Sequence, residues 1–269
     1  MKIWKNTNTL NEFDDGLTYT EFPSEANLML MGSKTVDLEL FPNLNGIFRV
    51  GIGNDNVPER KALLKNIIVR YPSEKTKNII FDETANFTCG LIFRMLYNNV
   101  GTINPWYKSP RRQLSNKILL VIGTGKIGNR VANLMKSFIK ITTFDILTNK
   151  DSELKPLLKQ ADCVTIHIPK NIENISFLNK TKLSWMKNGA ILINTARGNV
   201  VDEIALYKEL KNYRLKAAFD VYWEEPYKGK LSEFFPDLFY MTPHVASTCS
   251  EFLKGCRDDL DKFIKELSN

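Results

Sequence analysis

Apolar and polar positions along this chain change period repeatedly, and each change marks an element. Short apolar or β-branched runs predict strands at 17–22, 27–31 and 46–50, and another at Ile67-Ile68-Val69. Residues 36–40 predict a helical turn and 59–65 a helix. From 82 to 96 the spacing is helical, with Phe87, Leu91 and Met95 on one face. Residues 98–115 hold Gly101, Pro105 and Pro110 and keep no period, which predicts a linker or arm. A second series then alternates cleanly. Strands are expected at 118–122, 141–144, 163–168, 190–194, 217–221 and 239–241, with helices at 127–138, 154–159, 182–186 and 202–211. The tail, 251–267, reads as one more amphipathic helix. Wholly apolar strands alternating with helix-length segments predict parallel sheets covered on both faces, hence two α/β lobes, the second of nucleotide-binding type.

Composition narrows the function classes. The chain has 269 residues, 43% of them hydrophobic and 25% charged, which suits one large domain or two modest ones. Collagen-like, low-complexity and disulfide-scaffold classes are excluded. The longest apolar runs, such as 118–122, are of strand length, so no membrane span is expected. The first eight residues carry no signal-peptide core. Cys89, Cys163, Cys249 and Cys256 are scattered without a CxxC pair; free thiols, a cytoplasmic setting and no metal site are the expectation. The net charge of +7 is spread among acidic residues, and no aromatic-basic motif accompanies it, so no nucleic-acid partner is expected. A small anionic ligand suits the same balance.

The sharpest local signal is Gly123-Thr124-Gly125-Lys126-Ile127-Gly128, which follows the strand 118–122 and opens a helix. In a dinucleotide fingerprint Gly123 permits the tight turn, Gly125 lets backbone approach a pyrophosphate, and Gly128 lets the helix lie close on the sheet. The amides of Lys126 and Ile127 would face the diphosphate. The next strand ends at Asp145, the acidic position about 20 residues on that binds a ribose 2′-hydroxyl and repels a 2′-phosphate, which favours NAD over NADP. Lys150 follows closely and tempers that preference. A methyltransferase shares these features, so the fingerprint alone leaves the reaction open.

Four further segments close that choice: Gly51-Ile52-Gly53-Asn54-Asp55-Asn56, residues 194–202 (NTARGNVVD), residues 219–226 (FDVYWEEP) and Thr242-Pro243-His244-Val245-Ala246. With GTGKIG they resemble the D-isomer-specific 2-hydroxyacid dehydrogenases, in that family's own order from about residue 27 to the end. The resemblance implies a Rossmann dinucleotide-binding domain, taken as 81–246. It also implies a smaller flavodoxin-like substrate domain with a shortened N-terminus, taken as 1–80 plus 247–269.

The resemblance also implies roles. Arg197 follows a strand and would hold a substrate carboxylate through its planar guanidinium. His244, one of only two histidines, suits proton transfer near neutral pH, and Glu225 is its orienting carboxylate, chosen over Glu224 because it immediately precedes Pro226. The amides of Ile52 and Gly53 would meet the substrate carboxylate. His167 and Pro169 would line the cofactor cleft, as would Thr195 and Ala196, and Asp220 would lie near the nicotinamide carboxamide. The expected function is NAD-dependent interconversion of a 2-oxo acid and a D-2-hydroxy acid, by a homodimer formed through the nucleotide domain. An NAD(H)-binding scaffold or corepressor with little turnover is the alternative; formate or phosphite oxidation is a third reading, and Glu225 argues against the formate enzymes, which carry Gln there.

Two departures from the family pattern stand out. The usual first strand and long helix are squeezed into 1–17. Residues 71–83 (YPSEKTKNIIFDE) replace a small glycine-containing loop, and Lys75 and Lys77 would favour a phosphorylated or dicarboxylate substrate if that loop faced it.

Overall fold

Two separate parallel sheets organise the chain. The structure, a computed structural model, describes residues 1–268. It divides into two units, Met1–Glu83 together with Ser247–Asn269, and Thr84–Ala246. In the first unit β1 (Ile3–Lys5), β2 (Leu28–Met31), β3 (Gly46–Arg49) and β4 (Ile68–Arg70) pair in chain order, all parallel, with α1 (Glu59–Leu64) between the last two. Helix α2 (Glu74–Leu96) carries the chain into the second unit. There a short antiparallel hairpin of β5 (Gly101–Thr102) and β6 (Tyr107–Lys108) precedes an alternating series. The series runs β7 (Ile118–Ile122), α3 (Lys126–Met135), β8 (Lys140–Phe144), α4 (Asp151–Gln160), β9 (Cys163–Ile166), α5 (Lys180–Trp185), β10 (Ala190–Asn194), α6 (Glu203–Lys211), β11 (Leu215–Phe219) and β12 (Phe239–Met241). The closing helix α7 (Ser250–Ser268) returns to the first unit.

The six strands of the second unit are parallel in the order β8-β7-β9-β10-β11-β12. After β8 the chain crosses back over β7 to place β9 on its other side. Such a reversal leaves a gap beyond the carboxyl ends of the two strands, where ligands of open α/β sheets bind. Every residue of β10 is buried, as a central parallel strand requires. Leu192 joins a core with Phe144, Leu178 and Leu206 on one face, while Ile191 and Ile193 join Ile92, Val131 and Met135 on the other.

In the first unit β2 reads Leu-Met-Leu-Met and is buried throughout, so alternate residues serve two cores. Leu28 and Leu30 pack with Phe252, Cys256, Leu260 and Phe263 of α7, and Met29 and Met31 with Leu38, Phe41 and Ala62. A Cβ at Gly46 would lie 2.7 Å from both Phe263 and Leu267, so β3 and α7 meet with no room for a side chain.

Two expectations need correction here. The strand expected at 17–22 is a single bridge from Tyr19 to Ile3, held by Ile3 N–H to Thr18 O and Thr20 N–H to Ile3 O, both 2.9 Å. Nothing extends it, because Pro23 opens a 3₁₀ turn. The segment 71–83 is mostly helix, since α2 starts at Glu74 and not near 82. The cause lies far away in sequence. The Asp259 carboxylate on α7 accepts the Ser73 amide at 2.8 Å and the Thr76 hydroxyl at 2.7 Å, satisfying donors at the helix start. Lys77 pairs with Glu74 at 2.9 Å, so Lys75 and Lys77 lie on the first turn of a helix, not on a loop.

Leu260 is fully buried in the α7 core. Leu260→Ala is expected to cost about 2–5 kcal/mol by lost transfer energy plus the cavity left behind. Hydrogen exchange should speed up for the amides of β1–β4 and leave those of β7–β12 unchanged.

Candidate active site

The loop after β7 is built by close backbone approach. Gly123 has φ +89, and a Cβ there would stand 2.6 Å from the His167 carbonyl oxygen. A Cβ on Gly128 would stand 1.9 Å from the Gly123 carbonyl oxygen, so α3 is seated directly on the turn. Gly125 faces open space, with nothing within 4 Å of where its Cβ would be. The first intrahelical bond of α3 runs from Asn129 N–H to Gly125 O at 3.1 Å, which leaves the amides of Lys126, Ile127 and Gly128 without a helical acceptor. An open approach over Gly125 and unsatisfied amides at a helix start form a cradle that fits a dinucleotide pyrophosphate.

Asp145 follows β8. Its Oδ2 accepts the Thr124 amide at 2.7 Å and the Thr124 hydroxyl at 2.8 Å, and its Oδ1 accepts the Leu147 amide at 3.0 Å. Burial works to raise its pKa, but these donors outweigh burial and hold the carboxyl below the usual range. His167 lies one residue past β9, its amide bonded to Ile122 O at 2.7 Å and its Nε2 3.0 Å from the Thr165 hydroxyl. Burial pushes its pKa down to about 3, so the ring is neutral. The Pro169 carbonyl accepts from the Asn174 side chain at 2.8 Å.

At the end of β10 the buried Asn194 side chain holds the next turn from inside. Its Oδ1 accepts the Ala196 amide at 3.0 Å and its Nδ2 donates to the Arg197 carbonyl at 2.9 Å. Thr195 is buried against Thr88 of α2, hydroxyl to hydroxyl at 2.8 Å. Arg197 then has extended backbone, and its Nη1 donates to Ala196 O at 2.8 Å. The Gly198 Cα abuts another backbone. A Cβ there would lie 2.1 Å from the Tyr222 carbonyl carbon and 2.5 Å from the Trp223 nitrogen.

The segments after β11 and β12 complete the group. The carboxylate of Asp220, fully buried, accepts the Thr242 hydroxyl at 2.6 Å and the Val245 and Ala246 amides, each at 2.9 Å. Burial raises its pKa against the pull of those donors. The three bonds bracket His244, whose φ of +54 is left-handed and turns the ring out of the strand line. His244 Nδ1 lies 2.8 Å from Glu225 Oε2, and Glu225 Oε1 accepts the Tyr222 amide at 3.2 Å. Burial tends to raise the Glu225 pKa; the His244 hydrogen bond and charge, with Arg197 adding to them, bring it below the ordinary glutamate value. Glu225 is thus an anion facing an imidazole, with a guanidinium close enough to feel it.

The structure therefore brings Arg197, Glu225 and His244 together at neighbouring strand ends, and Gly123, Asp145 and His167 around the sheet reversal. Ile52 and Gly53 belong to the first unit. Their loop follows β3 and is shaped by Arg49, whose Nε donates to Gly53 O at 2.9 Å; neither Ile52 nor Gly53 donates its amide to another described residue. Asn194 and Thr88 were not singled out from sequence; an Asn that closes an apolar strand was the available signal for the first. Among the described residues no group of three or more His, Cys, Asp or Glu is placed to hold a metal, and no helix is long and apolar enough to cross a membrane.

Known proteins are similar to this chain in sequence and in fold. The family profile described as "D-isomer specific 2-hydroxyacid dehydrogenase, NAD binding domain" matches residues 99–246. A glyoxylate reductase of Thermofilum pendens is 33% identical over 255 residues, covering 84% of this chain and 73% of the relative. A glycerate dehydrogenase of Methylorubrum extorquens is 31% identical over 242 residues, covering 83% and 76%. A D-lactate dehydrogenase from Aquifex aeolicus, solved with NAD and lactic acid, superposes with TM-score 0.81 at 24% identity, covering 98% of this chain and 94% of that one. An NADPH-dependent glyoxylate/hydroxypyruvate reductase from Sinorhizobium meliloti gives TM-score 0.74 at 21% identity, covering 96% and 91%.

Gly198→Ala puts a methyl group into the Tyr222 backbone, so the turn carrying Arg197 must move. Displacement by about 1 Å costs on the order of 100-fold in rate. NADH oxidation with a 2-oxo acid should fall by that factor, while NADH affinity, read by fluorescence, stays near the parent value.

Proposed function

We propose, on the premise that this chain belongs to the D-isomer specific 2-hydroxyacid dehydrogenase family and is an oxidoreductase of that type, that it interconverts a 2-oxo acid and a D-2-hydroxy acid with NAD(H). His244 and Glu225 are its acid–base pair and Arg197 its carboxylate anchor. The observation that carries the reading is the 2.8 Å contact of His244 Nδ1 with Glu225 Oε2, made beside Arg197.

Bound NADH would supply the hydride equivalent at the substrate's carbonyl carbon. Everything else falls to the chain's own groups. Arg197 holds the substrate carboxylate and polarises the adjacent carbonyl. With Nδ1 engaged by Glu225, the His244 proton available to substrate is on Nε2, and Glu225 stabilises the imidazolium before transfer. Lys126, Ile127 and the glycine turn would hold a dinucleotide pyrophosphate. Pro169, Thr195, Ala196 and the neutral His167 would line the rest of the cofactor cleft. Asp220 supports this group by fixing the residues that follow β12. NAD is read as preferred over NADP because an ionised Asp145 after β8 would repel a 2′-phosphate. The substrate is a small anionic 2-oxo or 2-hydroxy acid, in keeping with the glyoxylate and glycerate relatives.

The test is NADH oxidation over glyoxylate, hydroxypyruvate, pyruvate and phosphorylated 2-oxo acids. His244→Ala should lower kcat by about 10²–10⁴ on the best of them, the usual worth of a general acid. Arg197→Ala should raise KM and lower kcat with NADH binding intact. Full turnover by the His244 variant would remove the acid–base assignment; tight NADH binding with no acid reduced would make the chain a scaffold.

The homodimer is proposed to form through the hairpin arm, whose Ile103 and Trp106 are 80% and 74% exposed. Sedimentation should give a dimer for the parent chain and a monomer for Ile103→Asp/Trp106→Asp. A monomeric parent would refute the arrangement.

A further inference from the structure

Resting on the acid–base reading of His244 and Glu225, we propose that Tyr222 is a positioning residue, whose hydroxyl locks the end of β12 onto the end of β11 and so keeps Glu225 aligned on His244. The hydroxyl lies 2.9 Å from the Phe219 carbonyl oxygen and 2.8 Å from the Thr242 carbonyl oxygen. Phe219 is the last residue of β11, and Thr242 follows the last residue of β12. The Thr242 amide also donates to Phe219 O at 3.1 Å, so a single junction ties both termini. The same residue reaches the pair through its backbone, its amide donating to Glu225 Oε1 at 3.2 Å while Oε2 faces His244. One side chain thus restrains the strand end that leads to His244, and one amide restrains the carboxylate that meets it.

The ring is held so that this link is stiff. Tyr222 is 8% exposed, stacks on Tyr227 at 4.9 Å and 22°, and meets Phe239 edge-on at 6.5 Å. Its backbone rests against Gly198, so any shift of Tyr222 is also felt by the turn that carries Arg197. Packing alone would be served equally by phenylalanine; the one hydrogen that the hydroxyl donates, shared between the two carbonyl oxygens, is what tyrosine adds. Burial pushes the phenol pKa up, so the group remains a donor across the pH range of an assay. The charged groups acting on His244 are Glu225 and Asp220, with Arg197 acting on Glu225.

Tyr222→Phe removes the hydroxyl and little else. The holoenzyme variant should bind NADH as the parent does and keep KM for the 2-oxo acid within about twofold, while kcat falls about tenfold from the looser alignment. A carboxylate less well aligned on the imidazole should change the pH profile of reduction in the same sense as Glu225→Gln does. The chain has only two histidines. Proton NMR of the His244 ring should therefore report the same change as in Glu225→Gln, without reference to turnover. Tyr227→Phe, which loses a hydroxyl bond to Glu203 within the same aromatic cluster, should move neither profile nor NMR titration. Parent kcat and titration in Tyr222→Phe, equal losses in both tyrosine variants, or failure of Tyr222→Phe to fold would each overturn the proposal. Parent rates in Glu225→Gln would overturn the acid–base reading itself, which separates the two failures.

Discussion

The arrangement depends on one buried carboxylate. Asp220 sits just past β11 with no exposure to water and receives three donors, all from the segment after β12. Desolvation opposes the charge strongly enough that its pKa is raised in spite of them. Yet two of the three donors are backbone amides, which have no alternative role, and only an acceptor on both oxygens satisfies them. Hydrogen bonds to an ionised group contribute about 1.5–3 kcal/mol each, so three of them are of the right order to hold a residue in left-handed backbone. That residue is His244. That clamp, together with the His244 amide bonded to the Thr242 carbonyl oxygen at 3.0 Å, holds a non-glycine φ of +54.

A second constraint is the removal of side chains where backbones must touch. Gly123, Gly128 and Gly198 each stand where a Cβ would overlap a main-chain atom at 2.6 Å or less. Gly128 seats α3 on the turn after β7, Gly123 lets that turn close on the backbone after β9, and Gly198 seats the Arg197 turn on the backbone next to Glu225. Gly125 differs, since space opens over it. Three contacts and one opening are what a parallel sheet needs to gather groups from β7, β10, β11 and β12 and still leave one face for a ligand.

What the chain disclosed in advance follows from how local each cause is. The GTGKIG loop, the strands 118–122, 190–194 and 239–241, and the family's ordered segments could be read because the residues that determine them are adjacent. The start of α2 could not. Ser73 and Thr76 look like ordinary loop residues until Asp259, at the other end of the sequence, supplies an acceptor. The run 17–22 carries β propensity, but a strand needs a partner along its whole length, and Ile3 offers only one bridge. Asp220 was legible as a candidate and not as a clamp, because the spacing between residues 220 and 245 says nothing about which atoms meet. Asn194 was hidden for the same reason.

The electrostatics of the three central residues are mutually consistent with the proposed chemistry. Glu225 lies below its ordinary pKa because His244 and Arg197 both favour the anion. In the proposed reduction the proton would move to the carbonyl oxygen as it gains negative charge, leaving a neutral imidazole with Nδ1 still bonded to Glu225. The same three positions would serve the proposed reverse direction, because a neutral Nε2 held at that place is a base for the hydroxyl of a 2-hydroxy acid. Reversibility thus needs no rearrangement of the chain, only the stiffness that Asp220, Gly198 and the aromatic cluster around Tyr222 give to the strand ends.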